Sequence, residues 1–505
     1  MVSKVYSEAV NGIEADIIEV EVYISSGLPV FSIVGMPDTA VKESKDRVIA
    51  ALKNSGFDFP AKKITVNLAP ADIKKEGGSF DLPVALGILA ACGKIKKENL
   101  ARFCAAGELS LDGKIRKIKG VLSMALNLAG NGIKDFIVPF GDREEASAAQ
   151  DINVYAFRTL AETVKFINGE IKTEPFLYQE STFSGVPESD FDFADIKGQL
   201  AARRAVEIAA AGNHNLLMSG PPGSGKTMIA KRIPGILPLM NFEESVETTK
   251  IWSCSGSAVK DGLIRQRPFR SPHHTVSAVA LAGGGAYPKP GEVSLAHNGV
   301  LFLDEFAEFR RDSLEILRQP LEDKNITVSR AKVSLVFPAS FMLVAAMNPC
   351  PCGNLGRRDK ECVCNPYQIQ KYRNKISGPL MDRIDIQIEV PALKVSELTA
   401  YKNGESSAVI RERVLSARKV QTERFKNSKI FSNSQMRSKD IKKYCVLDAA
   451  AENILKTAIE KLNFSARAYD RILKVARTIA DLEGKETITA GHIAEAVQYR
   501  SFDRR

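Results

Sequence analysis

The spacing of apolar residues changes along the chain and divides it into regions. Up to residue 170, strand-like alternation, as in 19–24, is mixed with the helical spacing seen in 38–53 and 82–92. Residues 171–192 show little periodicity and are rich in Pro, Ser, Glu and Phe, which predicts a linker. Residues 193–390 alternate strand and helix patterns, and such alternation is typical of a largely parallel sheet.

Strand patterns disappear after about residue 391. Helical spacing then predicts helices at 396–426, 448–462, 466–482 and 490–499. We therefore expect an α/β protein whose parallel-sheet core is joined to an α+β amino-terminal domain and a helical carboxy-terminal domain. The predicted boundaries are 1–170 for the amino-terminal domain, 171–192 for the linker, 193–390 for the core and 391–505 for the helical domain.

A glycine-rich segment stands between an apolar run at 216–218 and a predicted helix start. Its residues are Gly220, Pro221, Pro222, Gly223, Ser224, Gly225, Lys226 and Thr227. Such a loop wraps backbone N–H groups around phosphate oxygens, while Lys226 can reach the terminal phosphates and Thr227 can bind Mg²⁺. A Gly/Pro-rich turn that carries a lysine by chance is the alternative. The strand–loop–helix order favours a nucleoside triphosphate site.

Two later apolar strands also end in polar residues. Asp304 and Glu305 follow the run 300–303, where Asp304 can hold Mg²⁺ through water and Glu305 is a candidate general base for ATP hydrolysis. Asn348 follows the run 342–347 and could orient the attacking water, although a strand-terminal Asn is more often a turn residue. Together with the glycine-rich loop, these residues predict an ATPase that uses ATP and Mg²⁺.

Composition limits the class of protein. A chain of 505 residues is too long for a single core. Its 44% hydrophobic and 26% charged residues are typical of a globular protein, and no apolar run approaches the ~20 residues that cross a bilayer. The first residues lack the apolar stretch of a signal peptide. We expect a cytoplasmic protein without a membrane partner.

The net charge of +10 favours a polyanionic partner, and much of the excess lies late in the chain. A solvated basic helix face is the alternative, because many basic proteins bind no nucleic acid.

Four of the eight cysteines form two close pairs, Cys350-Pro-Cys352 and Cys362-Val-Cys364. Four thiolates suit tetrahedral Zn²⁺, although the one-residue spacing within each pair is tighter than usual. The alternative is four reduced surface cysteines, which would be prone to oxidation. We interpret the set as a possible zinc site whose position next to Asn348 would couple it to the nucleotide state.

Three segments together carry a family resemblance. They are 209–227, Arg270-Ser-Pro-His-His-Thr275 and Gly378-Pro-Leu-Met-Asp-Arg-Ile-Asp385. They resemble the magnesium-chelatase-like AAA+ proteins, and within that group the ComM/YifB type, over essentially the whole chain. The resemblance implies a homo-hexameric ring with ATP bound between subunits. It also implies DNA branch migration during natural transformation.

The resemblance assigns roles to two arginines. Arg383 matches the arginine finger that one subunit inserts beside its neighbour's phosphates, and Arg467 matches the sensor arginine of the helical lid. From the sequence alone, surface or salt-bridged arginines would be the simpler interpretation. The resemblance favours the catalytic roles.

Two segments lie where related rings carry pore hairpins. Residues 326–337 predict a hairpin with Arg330 and Lys332 near its tip, and residues 273–297 form an insertion that contains Lys289. These basic residues would contact DNA phosphates without reading the sequence. Ordinary exposed hairpins are the alternative.

The amino-terminal domain resembles the Lon-type peptidase fold. Ser79 lies in the segment that matches that family's nucleophile loop. Where the family places the lysine of its Ser/Lys dyad, this chain has Leu122, while Lys117 and Lys119 are out of register. Leucine cannot accept a proton, so we expect a domain without protease activity.

These observations predict an ATP-driven ring motor on single-stranded or branched DNA, of helicase or branch-migration type. Two alternatives remain open at this stage. One is a metal-insertion ATPase like the motor subunit of magnesium chelatase. The other is an ATP-dependent protease or unfoldase.

Overall fold

The structure of the protein is a computed structural model. This structure describes residues 2–179, 191–257, 259, 262–285, 287–330, 333–357, 360–392, 404–428, 430–462, 464–500 and 502. The chain divides by packing into two compact units. The first contains Met1–Gly185 and Asn241–Arg265, and the second contains Val186–Met240 and Gln266–Arg505.

Strands and helices are numbered in chain order. The strands are β1 (Val2–Asn11), β2 (Glu14–Ser25), β3 (Val30–Val34), β4 (Lys63–Ala69), β5 (Phe103–Ala105), β6 (Glu108–Leu109), β7 (Ile115–Arg116), β8 (Asp135–Pro139), β9 (Asn153–Phe157), β10 (Leu216–Ser219), β11 (Phe269–Arg270), β12 (Gly283–Gly284), β13 (Lys289–Pro290), β14 (Val300–Leu303), β15 (Asn325–Ser329), β16 (Ser334–Pro338), β17 (Met342–Met347) and β18 (Ile386–Glu389). The helices are α1 (Thr39–Asn54), α2 (Asp81–Ala91), α3 (Lys97–Leu100), α4 (Val121–Gly130), α5 (Arg143–Ser147), α6 (Leu160–Ile167), α7 (Leu200–Gly212), α8 (Lys226–Arg232), α9 (Phe242–Ser255), α10 (Ala278–Ala282), α11 (Glu292–Leu295), α12 (Arg311–Glu315), α13 (Arg318–Asp323), α14 (Pro366–Arg373), α15 (Gly378–Met381), α16 (Ser407–Arg424), α17 (Ser438–Tyr444), α18 (Ala449–Leu462), α19 (Ala466–Leu482) and α20 (Ala490–Gln498).

The first unit is built on a mixed seven-stranded sheet in the order β3-β4-β2-β1-β5-β8-β9. β1 and β2 form a long antiparallel hairpin, whereas β5, β8 and β9 run parallel. Helix α2 is buried along nearly its whole length, which explains why its residues are apolar all round. Helix α9 also belongs to this unit, where the Ser253 hydroxyl accepts a hydrogen bond from the Gly120 backbone N–H at 2.8 Å.

The second unit is built on a parallel five-stranded sheet in the order β11-β14-β17-β10-β18. Strands β10, β14 and β17 are buried throughout, so their sequences are continuous apolar runs. The carboxy-terminal helices α16, α19 and α20 share one hydrophobic core with α7 and this sheet. They therefore pack as part of the same unit.

The fold class predicted from the sequence is confirmed. The chain is α/β with a parallel core and many helices. The expected helices at 448–462, 466–482 and 490–499 correspond to α18, α19 and α20. Of the region 396–426, where a helix is expected, residues 404–426 are described, and within them α16 spans Ser407–Arg424. Residues 396–403 and most of the predicted linker, 180–190, lie outside the described residues.

The position of α9 differs from the expectation. The sequence predicts that Asn241–Arg265, which follow the phosphate loop, belong to the core domain, whereas they pack with the first unit. The domain boundaries themselves stay predictions. Within the described part of the chain, every helix falls short of the length and apolar character that a membrane crossing requires.

A buried carboxyl on β1 makes the stability of the first unit depend on pH. Burial raises the pKa of Glu8 to about 8, and its nearest polar partner is the Asn127 amide, which donates to Oε1 at 2.8 Å. Between pH 4.5, the ordinary value, and about 8, the folded chain keeps a proton that the unfolded chain releases. Stability attributable to Glu8 is therefore full below pH 4.5 and falls as the pH rises through this window.

Glu8→Gln should remove this dependence. We expect the melting temperatures of the wild type and the variant to lie close together at pH 5, and the wild type to melt several degrees lower than the variant at pH 8. Glu98→Gln, which changes an exposed carboxylate, serves as the control and should follow the wild type at both pH values. Parallel curves for the wild type and Glu8→Gln would contradict the assignment.

Candidate nucleotide-binding site

The ends of three parallel strands meet at one edge of the second unit's sheet. β10 leads into the glycine-rich loop, β14 into Asp304 and Glu305, and β17 into Asn348. The Gly220 N–H donates to the Met347 carbonyl at 3.1 Å, which ties the loop to the end of β17. A cleft of about 690 Å³ opens here, and it is lined by 222–228, 271–274, 304–305 and 347–348.

The backbone of the loop requires glycine at defined positions. Gly223 and Gly225 have φ angles of +78° and +91°, in the region that favours glycine. Lys226, at the start of α8, is buried and donates from Nζ to the carbonyls of Gly220 and Pro221 at 2.6 and 2.9 Å. Burial lowers the pKa of the Lys226 ammonium. Phosphate oxygens, being charged, are stronger acceptors than these carbonyls, so the lysine is suited to bind a phosphate.

The residues predicted to bind Mg²⁺ lie side by side. The Thr227 hydroxyl donates to Asp304 Oδ2 at 2.6 Å, and the Glu305 backbone N–H donates to Asp304 Oδ1 at 2.9 Å. A hydroxyl and a carboxylate beside a phosphate loop are the hard oxygen ligands that Mg²⁺ prefers. The donor set therefore fits this ion, which would neutralise charge on the phosphates when bound.

Glu305 is held by a histidine that the sequence analysis did not assign to the site. His274 Nδ1 lies 2.8 Å from Glu305 Oε2, and the His273 and His274 rings are in contact, with centroids 4.1 Å apart and planes tilted by 35°. Glu305 has a φ of +53°, an unusual backbone conformation for a non-glycine residue that functional sites often contain. His274 belongs to the Arg270–Thr275 motif that carries the family resemblance and to the insertion 273–297, for which the sequence predicts DNA contacts. The strand ends gave no signal for His274.

Arg383 lies at the opposite edge of the same sheet. Its carbonyl accepts a hydrogen bond from Asn215 Nδ2 at 2.9 Å, and Asn215 immediately precedes β10. The phosphate loop follows the other end of β10, and a strand of this length spans roughly 13 Å. Arg383 Nη1 donates to the Pro379 carbonyl at 2.7 Å, and Nη2 pairs with Glu322. The structure thus separates Arg383 from the cleft of its own chain.

Arg467 lies on the same side as Arg383. It stands in the first turn of α19, is 63% exposed, and its Nη1 lies 4.0 Å from Asp382 Oδ2. Both arginines lower the pKa of the Glu322 carboxyl. Arg383 acts mainly through its hydrogen bond, and Arg467 acts through its nearby positive charge. The two arginines therefore form one basic group outside the cleft.

The two segments predicted to contact DNA lie against each other. β15 and β16 form the predicted hairpin, and β12 and β13 form a second, shorter one that presents exposed Lys289. A Cβ built on Gly284 would come within 2.6 Å of Arg330 Nη2, so the guanidinium packs directly on the shorter hairpin. Lys332 lies outside the described residues.

The cysteines and the position expected for the dyad lysine can also be placed. The sulfur atoms of Cys350, Cys352, Cys362 and Cys364 all lie within 4.8 Å of one another. Leu122 is fully buried in the core of the first unit on α4, so the position where the Lon-type dyad would need a lysine is a packing position. The absence of protease activity stays a prediction.

Comparison with known proteins covers most of the chain. Residues 192–398 match the family model of magnesium chelatase, subunit ChlI. Residues 20–142 match the model of subunit ChlI of Mg-chelatase, and residues 404–500 match the carboxy-terminal model of that subunit. The chain is 47% identical to Competence protein ComM of Haemophilus influenzae, covering 99% of this chain and 97% of that protein. It is 43% identical to Uncharacterized protein YifB of Escherichia coli, with the same coverage of 99% and 97%.

The chain belongs to the ComM/YifB family of magnesium-chelatase-like AAA+ proteins. A more distant relative matches part of the chain. Over 213 residues the chain is 27% identical to Probable DNA helicase MCM9 of Arabidopsis thaliana, and the aligned region covers 42% of this chain and 27% of that protein. Family membership indicates an ATPase and agrees with the arrangement of the cleft.

Gly220 offers a test of the loop geometry. A Cβ at this position would lie 2.1 Å from the Val390 carbonyl oxygen, a backbone atom that cannot easily move. We expect Gly220→Ala to cost about 1–3 kcal/mol of stability and to weaken binding of a fluorescent ATP analogue at least about tenfold. Gly378→Ala is the control, because a Cβ there meets nothing within 4 Å. Equal affinities in the two variants would show that the loop tolerates the displacement.

Proposed function

We propose that the protein is an ATP-hydrolysing motor that works as a homo-hexameric ring on single-stranded or branched DNA. Its activity would be of the helicase or branch-migration type and would serve DNA recombination during natural transformation. The observation that carries the proposal is the separation of Arg383 from the cleft of its own chain. The cofactors are ATP and Mg²⁺, with Zn²⁺ at the four cysteines.

In this proposal each residue of the cleft has one task. Lys226 exchanges the loop carbonyls for the terminal phosphates, and Thr227 and Asp304 hold Mg²⁺. Once the contact between His274 and Glu305 is broken, the Glu305 carboxylate accepts a proton from the attacking water. Asn348 orients that water. The groups for hydrolysis are then complete except for an arginine beside the γ-phosphate, whose guanidinium would be the missing cation.

A neighbouring subunit would supply that cation. Arg383 and Arg467 lie at the edge of the sheet where β10 begins, whereas the phosphate loop lies where β10 ends. A ring in which this edge faces the next subunit's cleft would place both arginines beside the phosphates. An arginine supplied in trans can accelerate hydrolysis by about 10³–10⁵.

The contact between the two hairpins supports DNA as the partner. Arg330 and Lys289 lie on adjoining hairpins and carry charge suited to phosphates. The net charge of +10 acts in the same direction. A full-length relative named as a competence protein and a partial one named as a probable DNA helicase also favour this partner.

The alternatives receive less support. A metal-insertion ATPase would need a tetrapyrrole-binding partner, and nothing in the described residues favours one. A protease would need a base beside Ser79, and the position expected for it holds the buried Leu122.

Mixed rings test the shared site. Lys226→Ala and Arg383→Ala should each lower ATP turnover at least about a hundredfold in homo-oligomers, since each removes a group from every site. In an equal mixture, about one quarter of the interfaces pair an intact phosphate loop with an intact finger, so turnover should partly recover. The measurement is phosphate release before and after subunit exchange. Full turnover by Arg383→Ala, or a mixture without recovery, would overturn the shared site.

DNA binding tests the hairpins. Arg330→Ala and Lys289→Ala should each weaken binding to forked and single-stranded DNA and flatten the slope of log K against log salt by about 0.7–0.9 per lost phosphate contact. Lys461→Ala on α18, also exposed, is the control and should bind like the wild type. Salt titrations by fluorescence anisotropy give these slopes. Unchanged slopes in both hairpin variants would remove the hairpins from the DNA interface.

A further inference from the structure

Three of the four cysteine sulfurs are spaced like ligands of one tetrahedral metal ion, and the sulfur of Cys364 lies within 4.8 Å of each of them. Cys350 Sγ lies 3.5 Å from Cys352 Sγ and 3.7 Å from Cys362 Sγ, and the latter two lie 3.7 Å apart. Sulfurs bound to Zn²⁺ at ~2.3 Å in tetrahedral geometry are separated by about 3.8 Å. A disulfide would bring two of them to ~2.05 Å. The observed spacing therefore fits shared coordination of one ion.

The backbone turns tightly after Cys350 and Cys352 and keeps the two sulfurs close together. The Gly353 N–H donates to the Cys350 carbonyl at 3.0 Å, and Gly353 has a φ of +76°. The Leu355 N–H points to Cys350 Sγ at 3.4 Å. Backbone N–H groups directed at sulfur favour the thiolate that binds a metal. We call residues 350–364 the cysteine loop.

The cysteine loop contacts two residues that line the nucleotide cleft. A Cβ built on Gly353 would come within 2.9 and 3.0 Å of Pro222 Cδ and Cγ, and within 3.9 Å of Asn348 Cγ. Pro222 and Asn348 both line the cleft. Cys350 itself is fully buried, two residues after Asn348. Gly353 thus joins the cysteine loop to the phosphate loop and to the residue expected to orient water.

We propose that the four cysteines bind one Zn²⁺ and that the cysteine loop, through the contact of Gly353 with Pro222, fixes the phosphate loop and Asn348 in their working positions. The zinc is structural and takes no part in the chemistry. The proposal rests on the proposed function in that the positioned groups are those of an ATP site. It adds a metal-held support to that site.

Two glycines of the cysteine loop form a matched pair for the test. Gly353 and Gly356 have φ angles of +76° and +80°, so an alanine is equally strained at both. A Cβ at Gly356 meets nothing within 4 Å, whereas a Cβ at Gly353 meets Pro222. Gly353→Ala should weaken ATP-analogue binding or lower kcat at least about fivefold more than Gly356→Ala. Equal effects would overturn the proposed contact.

A double variant tests the same contact from the side of Pro222. Pro222→Ala removes the Cγ and Cδ atoms that the new Cβ would meet, so adding it to Gly353→Ala should recover part of the loss. No recovery would indicate that Gly353→Ala acts only through backbone strain, and would count against the contact.

The metal is tested independently of turnover. Mass spectrometric metal analysis should find about one zinc per chain in the wild type and in both glycine variants. Cys362→Ser with Cys364→Ser should lose the zinc and weaken ATP-analogue binding, while Cys92→Ser, a change at an exposed free cysteine, should leave both unchanged. A wild type without zinc would overturn the metal site. A zinc-loaded wild type that binds but never hydrolyses ATP would instead overturn the proposed function.

Discussion

Parallel pairing of the buried strands β10, β17 and β18 is the constraint on which the site depends. Leu216 pairs with Val344 on one side and with Ile386 on the other, and the register continues to Ser219. Because the strands run the same way, the phosphate loop and Asn348 are brought to one edge and Arg383 to the other. The side chains of β10 and β17 are buried throughout, so their apolar contacts stabilise the sheet in which these strand ends are aligned. The division between a cleft and a distant arginine follows from the direction of the strands.

The far edge is held by a polar cluster around Asn215 and Asp385. The Asn215 N–H donates to Asp385 Oδ2 at 3.0 Å, its carbonyl accepts from the Asp385 and Ile386 N–H groups, and its side chain joins the Leu343 N–H to the Arg383 carbonyl. Burial alone would raise the pKa of Asp385, but Arg471 and His214 hold it well below its usual range. Arg471 belongs to α19, so the cluster links the helices of the carboxy-terminal part to the segment that carries Arg383.

The sequence was most informative where local rules act. Apolar runs followed by polar residues located the strand ends, and the glycine-rich loop located the phosphate site before any packing was considered. His274 could not be found in this way, because it lies 31 residues before Glu305 in the sequence and the local pattern around it gives no sign of their contact. The packing of α9 with the first unit and the contact of Gly353 with Pro222 also depend on tertiary structure. Such contacts have no periodicity that a single sequence displays.

The pairing of Arg383 with Glu322 adds a step to the proposed ring. Glu322 lies at the end of α13, which leads directly into β15 and the hairpin that carries Arg330. In the ring, Arg383 would exchange this carboxylate for the more highly charged phosphates of the neighbouring site. Its release of Glu322 would free the base of the hairpin from one of its contacts. A change in nucleotide at one subunit would thereby reach the hairpin that carries Arg330 in the next subunit through a single exchange of ion-pair partners.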